Sequence, residues 1–122
     1  MLQDATIHVY LPASNLARAR AFYERVLGLT PKEEYAGGVF YECGGGLAFL
    51  YPTPNAGTSK ASQAFWAVED VPTEVAELKK RGVVFEEYDS PGLKTVDGML
   101  PDKTAAWFKD SEGNIMAIIR RR

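Results

Sequence analysis

A chain of 122 residues, 46% apolar and 25% charged, has the size of one domain and can bury roughly two-thirds of its unfolded surface in a continuous core. A net charge of −2 gives no electrostatic reason to expect nucleic acid or an anionic membrane as partner. Apolar runs fall short of the ~20 residues that span a bilayer, and Met1-Leu2-Gln3-Asp4 lacks the regions of a signal peptide. Cys43 is the only cysteine, which excludes an internal disulfide and a thiolate zinc cluster. The cytoplasm is the expected compartment.

Residues Ala5 to Leu11 alternate and are β-prone, with Ile7, Val9 and Leu11 on one face and Thr6, His8 and Tyr10 on the other. Pro12, which has no amide hydrogen, is expected to end that strand. Ser14 or Asn15 can cap a helix whose apolar stripe is Leu16, Ala19, Phe22, Tyr23, Val26 and Leu27, and Gly28 closes it. Three strands are predicted next, at about Pro31 to Tyr35, Val39 to Cys43 and Leu47 to Tyr51, with Gly37-Gly38 and Gly44-Gly45-Gly46 as turns. Residues 53–61 carry prolines, glycine and small polar side chains, and read as a linker.

The pattern then restarts. Ala64, Trp66 and Val68 face one way; Gln63, Phe65 and Ala67 face the other. Asp70 caps a second helix with Pro72 in its first turn, and Val71, Val75 and Leu78 form its stripe. Lys79-Lys80-Arg81 before Gly82 complements the negative end of that helix. Strands are predicted at about Val84 to Tyr88, Thr104 to Phe108 and Asn114 to Ile119, with an irregular loop from Ser90 to Lys103. His8 stands seven residues before Asn15, and Gln63 stands seven before Asp70. The fold class implied is α+β: two βαβββ modules, 1–52 and 62–122, forming a curved half-barrel sheet around a central pocket. Each module needs the other to cover an apolar sheet face.

At this point the chain resembles the vicinal oxygen chelate superfamily of glyoxalases, bleomycin resistance proteins and extradiol dioxygenases. The resemblance covers nearly the whole chain. It rests on Ser14-Asn15-Leu16 leading to Ala21-Phe22-Tyr23 and Leu27-Gly28-Leu29, on Val68-Glu69-Asp70-Val71 leading to Leu78 and Gly82-Val83, and on Phe108-Lys109-Asp110 with Glu112-Gly113-Asn114. It implies that metal-using members place ligands on both sheets, with His8 at the position of the first strand and Gln63 at that of the fifth. A glutamate is then expected in the last strand, where this chain has Ala117. The strand Leu47 to Tyr51 holds no carboxylate either.

One imidazole and one amide leave a divalent cation without charge compensation, so no metal or other cofactor is favoured. If a divalent metal binds, His8, Gln63 and Glu42 are its candidate ligands. The expected pocket is aromatic instead. Tyr10, Tyr41, Tyr51, Phe65 and either Trp107 or Phe108, with Trp107 taken as the liner, surround Gln63 as ligand-binding residues. His8 is the one candidate for proton transfer. The function expected is metal-independent binding of a small, partly aromatic or apolar molecule. The alternatives are a metal-dependent enzyme of glyoxalase or dioxygenase type, and a metal-free isomerase, cyclase or lyase using His8. A homodimer is expected, because sheet edges and apolar flanks remain for a partner to cover.

Overall fold

Asn15 and Asp70 hold nearly identical backbone conformations, φ −134° with ψ 99° and φ −134° with ψ 98°, and each side chain accepts from the amide three residues on, Arg18 and Thr73 respectively. These caps start the two helices of a computed structural model that describes residues 1–122. The first half holds β1 (Val9–Ala13), α1 (Leu16–Ala21), β2 (Pro31–Tyr35), β3 (Gly38–Cys43) and β4 (Gly46–Pro52). The second holds β5 (Ser62–Val68), α2 (Val71–Lys80), β6 (Asp89–Ser90), β7 (Leu93–Lys94), β8 (Ala105–Lys109) and β9 (Ile115–Arg120). One curved sheet has the order β1-β4-β3-β2 and the other β5-β9-β8, while β6 and β7 form a separate hairpin. In each sheet the strand that precedes the helix runs parallel to its neighbour, β1 to β4 and β5 to β9.

Three sequence expectations need correction. The first strand begins at Val9 rather than Ala5, so His8 lies just outside it, and it runs on through Pro12 to Ala13. Pro12 is tolerated because β1 is an edge strand. Its carbonyl points away from β4 and accepts from Asn114 Nδ2 at 2.7 Å, so the missing amide hydrogen faces no ladder partner. The first helix does not run unbroken to Gly28. It passes into a π-helical turn over Phe22–Val26, a wider turn with an extra residue, and both Phe22 and Tyr23 pack against the core. The predicted strand at Val84 to Tyr88 shrinks to one bridge, Phe85 with Phe108, and one bond from Glu86 N–H to the Trp107 carbonyl at 2.8 Å. The loop draws its remaining hydrogen bonds away: Tyr88 N–H donates to Thr95 Oγ1, and Glu87 accepts from Thr95 and Gly98.

A single core joins the halves. Leu11, Tyr23, Val39, Tyr41 and Leu50 meet Val71, Val75, Phe108, Met116 and Ile118 on the helix side of the two sheets. Strand β1 and strand β5 are both edges, and no backbone ladder joins them. Side-chain amides bridge the halves instead: Gln63 Nε2 of β5 donates to the Tyr10 carbonyl at 3.1 Å, and Asn114 Nδ2, from the turn before β9, to that of Pro12. The segment between β4 and β5 is tied to the same seam by Gly57 N–H, which donates to Asn114 Oδ1 at 3.0 Å. No helix is long and apolar enough to cross a membrane.

Gly57 has φ +74°, and a Cβ there would sit 2.4 Å from the Glu112 carbonyl oxygen. Gly57→Ala combines left-handed strain with a backbone clash, and should cost about 3 kcal/mol. A urea unfolding midpoint unchanged from wild type would refute that close approach.

Candidate functional site

The faces of the two sheets that turn away from the helices carry the rings. On the first sheet Tyr10 pairs with Phe49, Pro12 with Tyr51, and Phe40 with Phe49, which puts these side chains in adjoining rows. The ring centroids of Tyr10 and Tyr51 are 4.9 Å apart, those of Phe40 and Phe49 4.6 Å, and those of Tyr10 and Phe49 6.2 Å. Tyr35 extends the cluster, 6.3 Å from Phe40. On the second sheet Phe65 and Trp107 flank Ala117 in one row, and Tyr88 stands edge-on to Trp107 at 5.8 Å. Burial pushes the Tyr88 hydroxyl pKa up, and Glu86 adds to the shift. Glu86 itself pairs with Lys109 at 3.3 Å.

Tyr10, Tyr51, Phe65 and Trp107 therefore lie on this side of the sheets. Tyr10 is 63% and Phe65 59% exposed, so the surface is open in the single chain. Tyr41 lies on the other side. It is fully buried under the helix layer beside Tyr23, with its hydroxyl donating to Glu24 at 2.7 Å. Alternation along β3 puts Val39 and Tyr41 inward and Phe40 and Glu42 outward. Burial raises the Tyr41 pKa, and the Glu24 hydrogen bond raises it further. Tyr41 is a core residue. Phe40 and Phe49 were missed by the sequence reading, although Phe49 shares the parity of Tyr51 and so carried a usable signal. Trp66 faces the helix side, stacked on Phe108 at 6.2 Å.

His8 is exposed, and Gln63 spends its amide nitrogen on the seam. Glu42 is held at the surface by Lys32 Nζ at 2.5 Å. Between Phe65 and Trp107, where a further donor would be needed, stands the apolar Ala117. No three His, Cys, Asp or Glu side chains converge in a way that could hold a metal ion. Within the single chain these groups do not converge, and the one carboxylate among them, Glu42, is engaged by Lys32, so together they make no ligand set that would hold a divalent cation.

A second constellation supports the seam. Glu112, whose side chain has no exposed surface, accepts from Asn15 N–H at 2.9 Å and Ser14 Oγ at 3.2 Å, and pairs with Arg18 Nε at 2.8 Å. Burial alone would raise its pKa, but the bonds from Arg18, Asn15 and Ser111 outweigh that and hold it at about 2. Next to it, buried Asp110 accepts from Tyr23 Oη at 2.5 Å, from Glu112 N–H and Asn114 N–H at 2.9 Å each, and from Asn114 Nδ2 at 2.8 Å. These carboxylates are saturated with donors inside the protein and are structural.

The fold agrees with comparisons to known proteins. The sequence model of the glyoxalase/bleomycin resistance protein/dioxygenase superfamily matches residues 6–118. Among solved structures the chain is similar to a lactoylglutathione lyase from Agrobacterium tumefaciens, with a TM-score of 0.66 and 22% identity over 96% of this chain and 93% of that one. It is similar to a putative glyoxalase family protein from Bacillus anthracis, with a TM-score of 0.72 and 20% identity over 98% and 96%. The fosfomycin resistance protein FosX from Listeria monocytogenes, in complex with Mn(II) and sulfate, superimposes with a TM-score of 0.70 at 12% identity over 98% and 91%. A search of curated proteins returns no match. Two equivalent modules with matching caps, a curved open pair of sheets and a sequence match over almost the entire length establish that this chain belongs to the glyoxalase/bleomycin resistance protein/dioxygenase superfamily.

Proposed function

We propose that the chain binds a small, flat, partly aromatic molecule on the ring-lined face of its sheets, without a metal ion. The observation that carries this reading is the coexistence of a ring cluster, Tyr10, Phe40, Phe49 and Tyr51 at 4.6 to 6.2 Å spacings, with an apolar Ala117 between Phe65 and Trp107. Rings in offset and edge-on geometry attract a further aromatic surface and select by shape rather than by coordination. Gln63 keeps its amide oxygen for a ligand donor while its nitrogen holds the seam, and His8 supplies a polar group at the edge of the same face. Large exposed rings on a soluble surface call for a cover, so we further propose that a second copy of the chain closes over this face in a homodimer. A reducing compartment such as the cytoplasm suits the single free thiol of Cys43.

The test is a screen of planar aromatic compounds for saturable quenching of Trp107, in a Trp66→Phe background and in the presence of EDTA. Phe49→Ala and Tyr51→Ala should each weaken binding of any hit about tenfold, the worth of one aromatic contact. Quenching that needs an added divalent metal, or that ignores both substitutions, would rule the reading out.

A further inference from the structure

The two halves of the seam are not equivalent, and the difference is a hole. In the first half the turn before β9 fills the space beside the end of β1: Asn114 reaches the Pro12 carbonyl, and Glu112 reaches the cap at Asn15. By the internal repeat, β4 matches β9, Asp70 matches Asn15, and the turn before β4 should fill the space beside the end of β5. That turn is Gly44-Gly45-Gly46, and Gly45 (φ +90°) matches Gly113 (φ +86°) in backbone conformation. The glycines bring no side chains where the other half has a carboxylate and an amide. What remains is a cavity of about 610 Å³ walled by Gly44, Gly46, Val9, Ala48, Trp66 and Arg121 among others, with fully buried Met116 also in its lining.

That volume is the size of a small-molecule site. The lining is almost wholly apolar, so water filling it would find few partners. Its one charged side chain is Arg121. Arg121 Nη1 is held by Glu69 at 2.8 Å, and the rest of the guanidinium fork, with five donors in all, stays available. The mate of this cavity in the other half is itself occupied by a carboxylate paired with an arginine, Glu112 with Arg18.

We propose that this glycine-walled cavity is a second binding site, for an amphipathic carboxylate: an alkyl acid whose chain lies against Val9, Ala48 and Trp66 and whose head group pairs with Arg121. It adjoins the ring-lined face at Phe65, which borders both, and is told from it by the tryptophans: Trp66 lines the cavity while Trp107 does not.

The two tryptophans make the test selective. In Trp107→Phe, an octanoate, decanoate and dodecanoate series should change Trp66 emission saturably, each step of two methylenes tightening binding about tenfold. Arg121→Gln should weaken dodecanoate about tenfold and leave dodecanol unchanged. Gly46 has ordinary φ, and a Cβ there would meet only the Cys43 carbonyl at 3.4 Å, so Gly46→Leu can plug the cavity without backbone strain and should abolish the signal. A carboxyl-labelled dodecanoate NMR titration of the wild-type chain gives the same readout should a variant misfold. A response seen in Trp66→Phe but absent in Trp107→Phe, one independent of chain length, or one that survives Gly46→Leu would overturn the proposal. Aromatic binding at the ring-lined face is tested separately, by Trp107 quenching in the Trp66→Phe background with Phe49→Ala and Tyr51→Ala.

Discussion

Replacing Glu112 by Gln should lower unfolding free energy at pH 7 by roughly 3 kcal/mol and flatten its dependence on acid. The size follows from linkage. The Glu112 carboxyl is held at about 2 in the folded chain against 4.5 without the fold, and each pKa unit is worth about 1.4 kcal/mol. The sign follows from the direction: the folded pKa is depressed, so the stabilisation is complete above about pH 4.5 and is lost as pH falls toward 2. The bonds responsible join residues 94 to 98 apart in sequence, so they hold α1 and β1 of one module to the β8–β9 turn of the other. Arg18 is half exposed and regains water when its partner goes. That keeps the loss near the lower end of the range for breaking a buried pair. Urea unfolding at pH 7, 5 and 3 measures it. Wild type should lose stability between pH 5 and 3 while Glu112→Gln loses little; parallel curves would contradict the assignment.

Asp110→Ala should cost still more, about 4 kcal/mol, because it leaves four donors without an acceptor in a buried turn: Tyr23 Oη, the amides of Glu112 and Asn114, and Asn114 Nδ2. Tyr23→Phe removes one of these bonds and should cost about 2 kcal/mol. Burial and the neighbouring Asp110 both drive the Tyr23 hydroxyl pKa up, so it remains a donor at any pH the fold survives. If Asp110→Ala yields no folded protein, Tyr23→Phe carries the test alone. An effect below about 0.5 kcal/mol would mean that Asp110 is solvated and not the hub of the turn. Because Asp110 and Glu112 share that turn, the double variant should lose less than the two single losses combined.

Much of this was legible in the chain itself. The caps at Asn15 and Asp70, the helix-closing glycines 28 and 82 at φ +78° and +95°, and the alternation of β1 and β5 are local signals, and they gave the duplicated plan. Alternation also placed Tyr10, Phe65 and Trp66 on the faces they occupy. It misled at β3. Phe40, Tyr41 and Glu42 offer no clean apolar side, and the partner that makes Tyr41 a core residue, Glu24, belongs to a different element. The π-helical turn has no local sequence signature at Phe22, and the bond its Tyr23 makes is to Asp110, 87 residues on. The strand expected at Val84 to Tyr88 failed for a similar reason, since Glu87 is drawn into the loop by Thr95 and Gly98. The seam itself was invisible, being made by Gln63 and Asn114 side chains standing in for a backbone ladder.

Elemental analysis of the purified chain, run beside His8→Ala, tests the central claim most directly. Recognition by ring surface predicts well under one equivalent of divalent metal per chain, the same in both proteins. One equivalent in the wild type that disappears with His8 would show that a coordinated ion, and not the aromatic face, organises this site.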